Sequence, residues 1–499
     1  MHESIWRAGA TRPDRPPLDR DMSADAVVIG GGMAGVVTAL LLHRAGLKIV
    51  LLERGRCGDG ESQRTTAHLA YVTDARLSRL VRDFGHDHAR LTWDAGRAGI
   101  DLIESHCRED GVDCEFRRTP GFLHSPWKGD DDSKALRDDA NLARQLGFPA
   151  QFLDKVPVVG RNGVRFADQA KFHPMRYLKG VLSLLPEEGV VFEHSEVTEI
   201  LDDPVRVVAN GRTIHCDHAI LTTFVPLQGI AGLLAATYLQ SKLASYSSYA
   251  IAAKAPREAG AEALYWDTSD PYYYLRIDGC GDEERLIFGG CDHKTGQQPA
   301  DFDPFKELEE RLQTAIPEAQ PTARWSGQVV DSMDGLPFIG ETEKGQYIAT
   351  GFGGNGMTFG ALAGLILRDA ILGADNPWRE LFDANRTKPL AGGWNYLAEN
   401  IDYPYYLVSD RLTAAAAIDE SRLKPGHGML LKSDGERVAA YRTPSGSLIR
   451  MSPVCPHMGC LVRWNELEST WDCPCHGSRF QATGELLTGP AETPLKRLE

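Results

Sequence analysis

The feature that most constrains this chain of 499 residues is a pair of cysteine- and histidine-containing boxes near its carboxyl end. The first box is Cys455-Pro456-His457-Met458-Gly459-Cys460, and the second, after twelve residues, is Cys473-Pro474-Cys475-His476-Gly477-Ser478. Both boxes offer thiolate and imidazole groups, which are common protein ligands of zinc and of iron in clusters. The last part of the chain is therefore expected to hold a metal centre between two loops.

The two boxes resemble those of the Rieske proteins of respiratory and photosynthetic cytochrome complexes. The resemblance implies a [2Fe-2S] cluster, in which two Cys bind one iron and two His bind the other. The ligands that it implies are Cys455, His457, Cys473 and His476. It also implies a disulfide bond between Cys460 and Cys475 that ties the two loops together.

A structural zinc site is the alternative, because a Cys₂His₂ set also satisfies tetrahedral zinc. Zinc would need neither the second pair of cysteines nor Gly459 and Gly477, which in Rieske proteins let the backbone approach the cluster. One position departs from the pattern of high-potential Rieske proteins: Phe480 stands where they have a Tyr that hydrogen-bonds a ligand sulfur, whereas Ser478 is kept. We therefore expect a potential some tens of millivolts below the top of the Rieske range of roughly −150 to +300 mV.

Composition and charge exclude some classes of protein. With 42% hydrophobic and 25% charged residues, the chain is a folded globular protein with room for two or three domains. Its net charge of −15 argues against nucleic-acid binding, which requires a basic face. The six cysteines outside the boxes are scattered, and residues 1–24 form a lead segment without a signal-peptide core, which predicts a cytoplasmic protein. Residues 26–42 are too short and too broken by glycine for a membrane span.

A strand, a glycine-rich turn, a helix and a second strand follow the lead segment. Gly30, Gly32 and Gly35 fit G-x-G-x-x-G directly after a β-branched run, and Glu53 closes the second strand. Such glycines give a tight turn, room for a pyrophosphate at the helix N-terminus and close packing of helix on strand. The acidic residue binds ribose hydroxyls. This pattern predicts dinucleotide binding but does not distinguish FAD from NAD.

Residues 53–68, 334–340 and 350–358 resemble the glycine oxidase, D-amino-acid oxidase and sarcosine oxidase family, and the resemblance spans roughly residues 25–390. It implies bound FAD, with a helix at residues 357–372 directing its positive end at the flavin. The absence of Cys from residues 351–358 favours noncovalent FAD. The predicted cofactor-binding residues are Gly30, Gly32, Met33, Ala34, Gly35, Glu53, Arg54, Ser62, Arg64, Thr65, Thr66, His68, Val197, Gly351, Gly353, Gly354, Gly356, Met357 and Thr358.

The predicted fold is α/β. Residues 25–400 would form a Rossmann-like FAD-binding domain with an interleaved α+β substrate domain, and residues 405–499 a small all-β Rieske domain at the carboxyl end. A helix-like stretch at residues 378–400 and a linker at Tyr403-Pro404-Tyr405-Tyr406 would join them. Residues 218–223 would return the chain to the flavin sheet, and residues 489–491 resemble the proline loop that covers a Rieske cluster.

Two predicted strands, at residues 271–276 and 286–294, end near a pocket of the substrate domain. In the resembling oxidases an Arg and one or more Tyr on such strands hold a substrate carboxylate. Tyr274, Arg276 and His293 are therefore the predicted catalytic residues, with Lys294 behind them. The alternative is an amphipathic strand face on which Arg276 makes surface pairs.

A chain that holds both FAD and a [2Fe-2S] cluster converts two-electron into one-electron transfer. The favoured hypothesis is an FAD-dependent oxidoreductase that oxidises a C–N bond of a small amine or amino acid and passes electrons through the cluster to an external acceptor protein. One alternative is an NAD(P)H-fed reductase for a partner oxygenase, although no second G-x-G-x-x-G is found. Another is a redox carrier or sensor without turnover. A Rieske oxygenase is disfavoured because no 2-His-1-carboxylate set is visible.

Overall fold

The computed structural model describes residues 3–7, 14–225, 239–256, 262–280, 283–299, 301–386, 423–433 and 436–498. Within these ranges the α-helices are α1 (Met33–Arg44), α2 (Leu77–Phe84), α3 (His86–Glu109), α4 (Ser133–Gln145), α5 (Pro174–Ser183), α6 (Pro304–Ala315), α7 (Gly356–Leu372) and α8 (Arg379–Phe382). The strands are β1 (Met22–Ser23), β2 (Ala26–Ile29), β3 (Ile49–Leu52), β4 (His68–Leu69), β5 (Arg117–His124), β6 (Ala150–Leu153), β7 (Gly163–Lys171), β8 (Val191–Phe192), β9 (Val197–Leu201), β10 (Arg206–Ala209), β11 (Arg212–His215), β12 (His218–Leu221), β13 (Leu243–Pro256), β14 (Ala263–Asp267), β15 (Tyr274–Cys280), β16 (Glu283–Lys294), β17 (Gln320–Ser332), β18 (Phe338–Glu343), β19 (Gln346–Thr350), β20 (Gly428–Ser433), β21 (Glu436–Arg442), β22 (Leu448–Met451), β23 (Arg463–Asn465), β24 (Thr470–Asp472), β25 (Arg479–Gln481) and β26 (Leu486–Thr488).

The dinucleotide-binding domain is built on a six-stranded sheet in the order β18-β19-β12-β2-β3-β8. Its pairs are parallel except for β18 with β19. Every residue of β2 and β3 is buried, as expected for parallel strands that are covered on both faces. Strand β12 lies between β2 and β19, which confirms that this segment returns to the flavin sheet. Small residues let α7 lie close to α1: a Cβ on Gly364 would be 2.9 Å from Val37.

The substrate domain is interleaved with the first domain. Its sheet has the order β17-β13-β16-β15-β14-β5-β7-β4, with β6 paired to β7, so that it takes strands from both sides of β12 in the chain. The carboxyl-terminal domain consists of two small antiparallel sheets, β20-β21-β22 and β23-β24-β25-β26, around a core that includes Met451, Trp471 and Phe480. The predicted α/β fold with an interleaved α+β domain and a small all-β domain is confirmed.

The described part of the lead segment packs against the flavoprotein rather than standing apart from it. Trp6 is fully buried and its indole N–H donates to the Thr65 carbonyl at 2.6 Å. Strand β1 extends the sheet of β9, β10 and β11. Of the predicted helix-like stretch, the short helix α8 is described, and the predicted linker lies outside the described residues. Within the described ranges, the apolar runs of the helices are all too short or too polar to cross a bilayer.

Candidate functional site

The nucleotide end of the site is the turn between β2 and α1. Gly30 has a φ of +108°, and a Cβ on Gly35 would lie 1.8 Å from the Gly30 carbonyl oxygen, so both positions require glycine. The Glu53 carboxylate accepts a hydrogen bond from the Gly31 N–H at 2.7 Å. The bare turn and the N-terminus of α1 face a cavity of about 670 Å³, the arrangement that binds a pyrophosphate.

Most of the residues predicted to bind FAD line this cavity. They are Gly30, Gly32, Met33, Ala34, Glu53, Arg54, Ser62, Arg64, Thr65, Thr66, His68, Val197, Gly351, Gly353, Gly354, Gly356 and Met357. Gly35 and Thr358 are not in the wall. Gly35 keeps the packing role that the motif predicts, whereas Thr358 is fully buried in α7, and its contact with FAD stays a prediction.

The start of α7 forms the opposite end of the cavity. Gly351 and Gly353 have φ values of +73° and +56°. The Asp74 carboxylate accepts hydrogen bonds from the Gly354 N–H at 2.8 Å and from the Tyr272 hydroxyl at 3.1 Å. The positive end of this 17-residue helix therefore faces the cavity, where it would stabilise the negative charge of a reduced flavin.

Aromatic and acidic side chains line the cavity near the start of α7; among them are Asp74, Tyr246, Trp266, Tyr272, Tyr274 and Asp292. Asp292 is directed there by a β-bulge, because Cys291 and Asp292 together lie opposite the single residue Ser248 of β13. Cys291 has a φ of +60°, an unusual backbone conformation for a residue with a side chain. Bulges of this kind redirect side chains and are frequent beside active sites.

Protonation in this part of the cavity is shifted by burial. Burial raises the pKa of Asp292 to about 7, and the Asp74 carboxylate adds to the shift, whereas a hydrogen bond with Ser248 opposes it. Burial also raises the pKa of Asp74 and holds the pKa of Tyr272 and Tyr274 well above 10. Asp292 is therefore a carboxyl group that can exchange a proton near neutral pH.

Arg276, a predicted catalytic residue, lies outside the cavity wall. Its side chain is 1% exposed, and its Nε donates to the Asp278 carboxylate at 2.8 Å. Its Nη1 donates to the carbonyls of Ala67 and Phe172, both at 2.9 Å. Because these bonds join the strand to two neighbouring segments, Arg276 has a structural role, and the prediction that it clamps a substrate carboxylate is wrong for this geometry.

Of the other two predicted catalytic residues, one lies in the cavity wall and one does not. Tyr274 lines the cavity, and its hydroxyl lies 2.8 Å from Ser248 Oγ. His293 and Lys294 are absent from the wall; the His293 ring stacks on Tyr249 with centroids 5.6 Å apart. The residue that sequence reasoning missed is the neighbour, Asp292. Its signal in the sequence is the Gly289-Gly290 pair, which permits the bulge.

The two boxes form facing loops in the carboxyl-terminal domain and bring the four predicted ligands together. The rings of His457 and His476 have centroids 4.8 Å apart, and the thiols of Cys455 and Cys473 hydrogen-bond to each other. Burial lowers the pKa of both imidazoles to about 4, so that they are neutral, the form that binds a metal.

Cys460 and Cys475 form the predicted disulfide bond. The sulfur atoms of Cys460, Cys473 and Cys475 lie within 4.8 Å of one another. A disulfide carries no thiolate, however, so these three are not a ligand set. Beside the cluster loops, the Ser478 hydroxyl hydrogen-bonds Cys455 and accepts from the Ala491 N–H at 2.9 Å.

The all-β domain docks onto the flavoprotein through these loops. Four of the interdomain hydrogen bonds run from Gln328 Nε2 to the Gly477 carbonyl (2.7 Å), from Gln297 Nε2 to the Pro474 carbonyl (3.0 Å), from Arg54 to the Leu487 carbonyl (2.9 Å) and from His457 Nε2 to Gln240 Oε1 (3.0 Å). The last bond leaves His457 Nδ1 for a metal.

The Rieske domain also contributes to the wall of the FAD cavity, through Leu487, Thr488, Gly489 and Ala491. Two hydrogen bonds, from Ala491 through Ser478, thus connect the cavity wall to Cys455.

Residues 25–370 match the family described as FAD dependent oxidoreductase. The chain belongs to this family. Residues 414–499 match the Rieske [2Fe-2S] domain, which settles the metal centre in favour of the cluster over zinc. This FAD-dependent oxidoreductase binds FAD in its first domain and a [2Fe-2S] cluster in its Rieske domain, and it is of the amine or amino-acid oxidase type.

Similar proteins cover the whole chain or its flavoprotein part. YhfW of Bacillus subtilis, described as a Rieske 2Fe-2S iron-sulfur protein, is 30% identical over 505 residues, which cover 100% of this chain and 97% of that protein. The gamma-glutamylputrescine oxidoreductase of Escherichia coli is 24% identical over 408 residues, 78% of this chain and 92% of that protein. Glycine oxidase from Geobacillus kaustophilus shares the fold, with a TM-score of 0.61 at 19% identity over 73% of this chain and 99% of that chain.

Proposed function

We propose that this oxidoreductase removes a hydride from the carbon of a C–N bond in a small amine or amino acid and delivers the electrons through the Rieske cluster to an external one-electron acceptor protein. FAD accepts two electrons as hydride, and the cluster carries them singly. The observation that carries the proposal is the shared wall. Leu487 and Ala491 of the Rieske domain line the FAD cavity, and Ala491 is connected through Ser478 to Cys455.

The chain's own residues have distinct roles in this proposal. The substrate nitrogen must lose its proton before its carbon gives up a hydride, and Asp292, with a pKa of about 7, is placed to accept it. The hydroxyls of Tyr272 and Tyr274 orient the substrate beside the start of α7. The name of the Escherichia coli relative, an oxidoreductase of an amine, supports the same class of substrate.

The proposal extends to residues and boundaries. The cavity-lining residues named above would contact FAD, and Cys455, His457, Cys473 and His476 would bind the cluster. The flavoprotein domain would span residues 25–400 and the Rieske domain residues 405–499, which the matched ranges 25–370 and 414–499 support. We also propose a cytoplasmic location, where shielding of the Cys460 and Cys475 sulfurs by the docked loops would keep the disulfide oxidised.

Anaerobic titration of the purified holoprotein tests the function. Amines, amino acids, NADH and NADPH are added in turn, and flavin absorbance and cluster EPR are followed together. We expect an amine to bleach the flavin first and to reduce the cluster afterwards. Rapid reduction by NADH or NADPH, without any response to amines or amino acids, would show a reductase and contradict the proposal.

Ligand variants test the order of electron transfer. His457→Cys and His476→Cys change a predicted cluster ligand and no residue of the flavoprotein domain; His457→Cys also removes the hydrogen bond to Gln240, which His476→Cys keeps. We expect flavin bleaching by substrate at close to the wild-type rate and loss of turnover with a one-electron acceptor. If flavin reduction itself required the intact cluster, electrons would run from the cluster to the flavin, and the direction proposed here would be wrong.

A further inference from the structure

The part of the cavity that faces the start of α7 is rich in carboxylates and poor in cations. Of the described residues that line the cavity, the Lys and Arg side chains are Arg54 and Arg64. Arg54 donates to the Leu487 carbonyl, and Arg64 donates to the Ser326 carbonyl at 3.2 Å. Both belong to the part of the chain predicted to bind FAD.

A neighbouring cavity shares Asp74, Trp266 and Tyr272 with the first and carries three arginines, each of which lies beside a carboxylate. Arg76 pairs with Asp139 at 2.7 Å, and Arg79 and Arg82 lie 3.5 and 2.7 Å from the Asp83 carboxylate. With Arg276 bound to Asp278, each described guanidinium at this site already contacts a carboxylate or a backbone carbonyl of the protein.

In contrast to these arginines, the Asp292 carboxylate has an oxygen atom that no described residue binds. Its Oδ1 is buried and has no hydrogen-bond partner in the described structure. The bulge at Cys291 directs the Asp292 side chain into the cavity. The aromatic rings that line the same part of the cavity are those of Tyr246, Trp266, Tyr272 and Tyr274. A buried carboxylate oxygen without a partner makes the charged form costly, and aromatic faces attract cations.

We propose that Asp292 and Asp74 form a cation-binding site for the substrate, and that the physiological substrate is a cationic aliphatic amine that lacks a carboxylate group. This inference rests on the proposed function and narrows it from amines and amino acids to amines. An amino acid would place its carboxylate beside the carboxylates of Asp292 and Asp74, and like charges repel one another in such an interface unless they are compensated.

Matched substrate pairs test the inference. The anaerobic holoenzyme is mixed with butylamine or norvaline, and with 1,5-diaminopentane or lysine, so that the members of each pair differ by a carboxylate. We expect the amine to reduce the flavin with a kcat/KM higher by about 30-fold or more. If amino acids reduce the flavin better than amines, the cation site is wrong but C–N oxidation stands. If neither class reduces it, the proposed function itself fails.

Binding without turnover gives an independent readout. Tetramethylammonium has no N–H and cannot be dehydrogenated, so its affinity is measured by calorimetry and by perturbation of the visible flavin spectrum. We expect the wild type to bind tetramethylammonium and not acetate. Asp292→Asn should weaken this binding about 30-fold or more, while Asp87→Asn, the same change at an exposed position of α3, should leave it unaltered. Equal affinity in the wild type and Asp292→Asn would overturn the inference.

Discussion

Gly477 is predicted to control electron transfer because it lies at the contact between the Rieske domain and the flavoprotein. A Cβ at this position would lie 2.4 Å from Ser245 Cβ and 2.9 Å from Ser245 Oγ, whereas an ordinary contact is 3.4 to 4 Å. Gly477→Ala would therefore force the two surfaces apart by about 1 Å. The Gln328 bond to the Gly477 carbonyl would be stretched by the same movement.

The free-energy cost of Gly477→Ala has two parts, backbone strain and a steric clash, and a control variant separates them. Gly477 has a φ of +76°, which costs an L-residue roughly 1–2 kcal/mol. Gly446, also in the Rieske domain, has a φ of +94° with nothing within 4 Å, so that Gly446→Ala carries a similar backbone cost and no contact. The remaining overpacking in Gly477→Ala amounts to about 1–3 kcal/mol. An overpacking cost of this size would lower the ratio of docked to undocked Rieske domain roughly 5- to 150-fold.

The assay is anaerobic rapid mixing with a reducing amine, followed by flavin absorbance and by freeze-quenched cluster EPR. We expect Gly477→Ala to keep the flavin phase and to slow the cluster phase, while Gly446→Ala keeps both. Ser245→Gly removes the two atoms that clash, so Ser245→Gly combined with Gly477→Ala should recover much of the rate. An unchanged cluster phase in Gly477→Ala would refute the reasoning, and a loss that Ser245→Gly does not relieve would indicate a damaged cluster loop instead.

Four further predictions follow from other parts of the structure. Arg276→Gln should destabilise the protein by about 3–5 kcal/mol in denaturant unfolding, since it breaks a buried ion pair, whereas Arg285→Gln at the edge of the same network should cost less. Phe480→Tyr should raise the cluster potential by some tens of millivolts in an EPR-monitored titration; no change would mean that the hydroxyl does not reach a ligand sulfur. Acid precipitation should release the FAD, and flavin left in the pellet would indicate a covalent link. For a cationic amine, kcat/KM should rise with pH through about 7, where Asp292 ionises. The titratable groups that face Asp292 are Asp74, Tyr272 and Tyr274, and the two tyrosines stay neutral in this range. The Asp292→Asn variant should therefore lose the rise in kcat/KM near pH 7.

The parts that sequence predicted well are those in which local chemistry dictates geometry. The Gly30 to Gly35 turn requires backbone conformations and contacts that only glycine permits, so its position relative to Glu53 could be deduced from spacing alone. The two boxes carry ligands, a cysteine pair and glycines at matched positions, and the loops fold as that pattern implies. The family resemblance then supplied the interleaved order of the two flavoprotein sheets.

The substrate residues were less predictable because they depend on tertiary context. Alternation along β15 places Tyr274 and Arg276 on one face of the strand. Tyr274 reaches the cavity and Arg276 does not, because the Arg276 guanidinium donates hydrogen bonds to the carbonyls of Ala67 and Phe172. These two residues lie far from Arg276 in the sequence. In β16 the bulge shifts the side-chain register, so that Asp292 rather than His293 faces the cavity. The Gly289-Gly290 pair hints at a bulge but does not reveal its direction.

The shared wall also couples cofactor binding to domain docking. Leu487, Thr488 and Gly489 close the cavity only when the Rieske domain is docked, and docking relies on hydrogen bonds from flavoprotein side chains to Rieske backbone carbonyls. If FAD binds the closed cavity more tightly than the open one, FAD must favour docking by the same factor, because coupling free energies are reciprocal. The perturbation at Gly477 should therefore weaken FAD retention as well as electron transfer, and saturating FAD should restore part of the docked population. The position of the Rieske domain is, on this argument, part of the flavin site rather than an appendage to it.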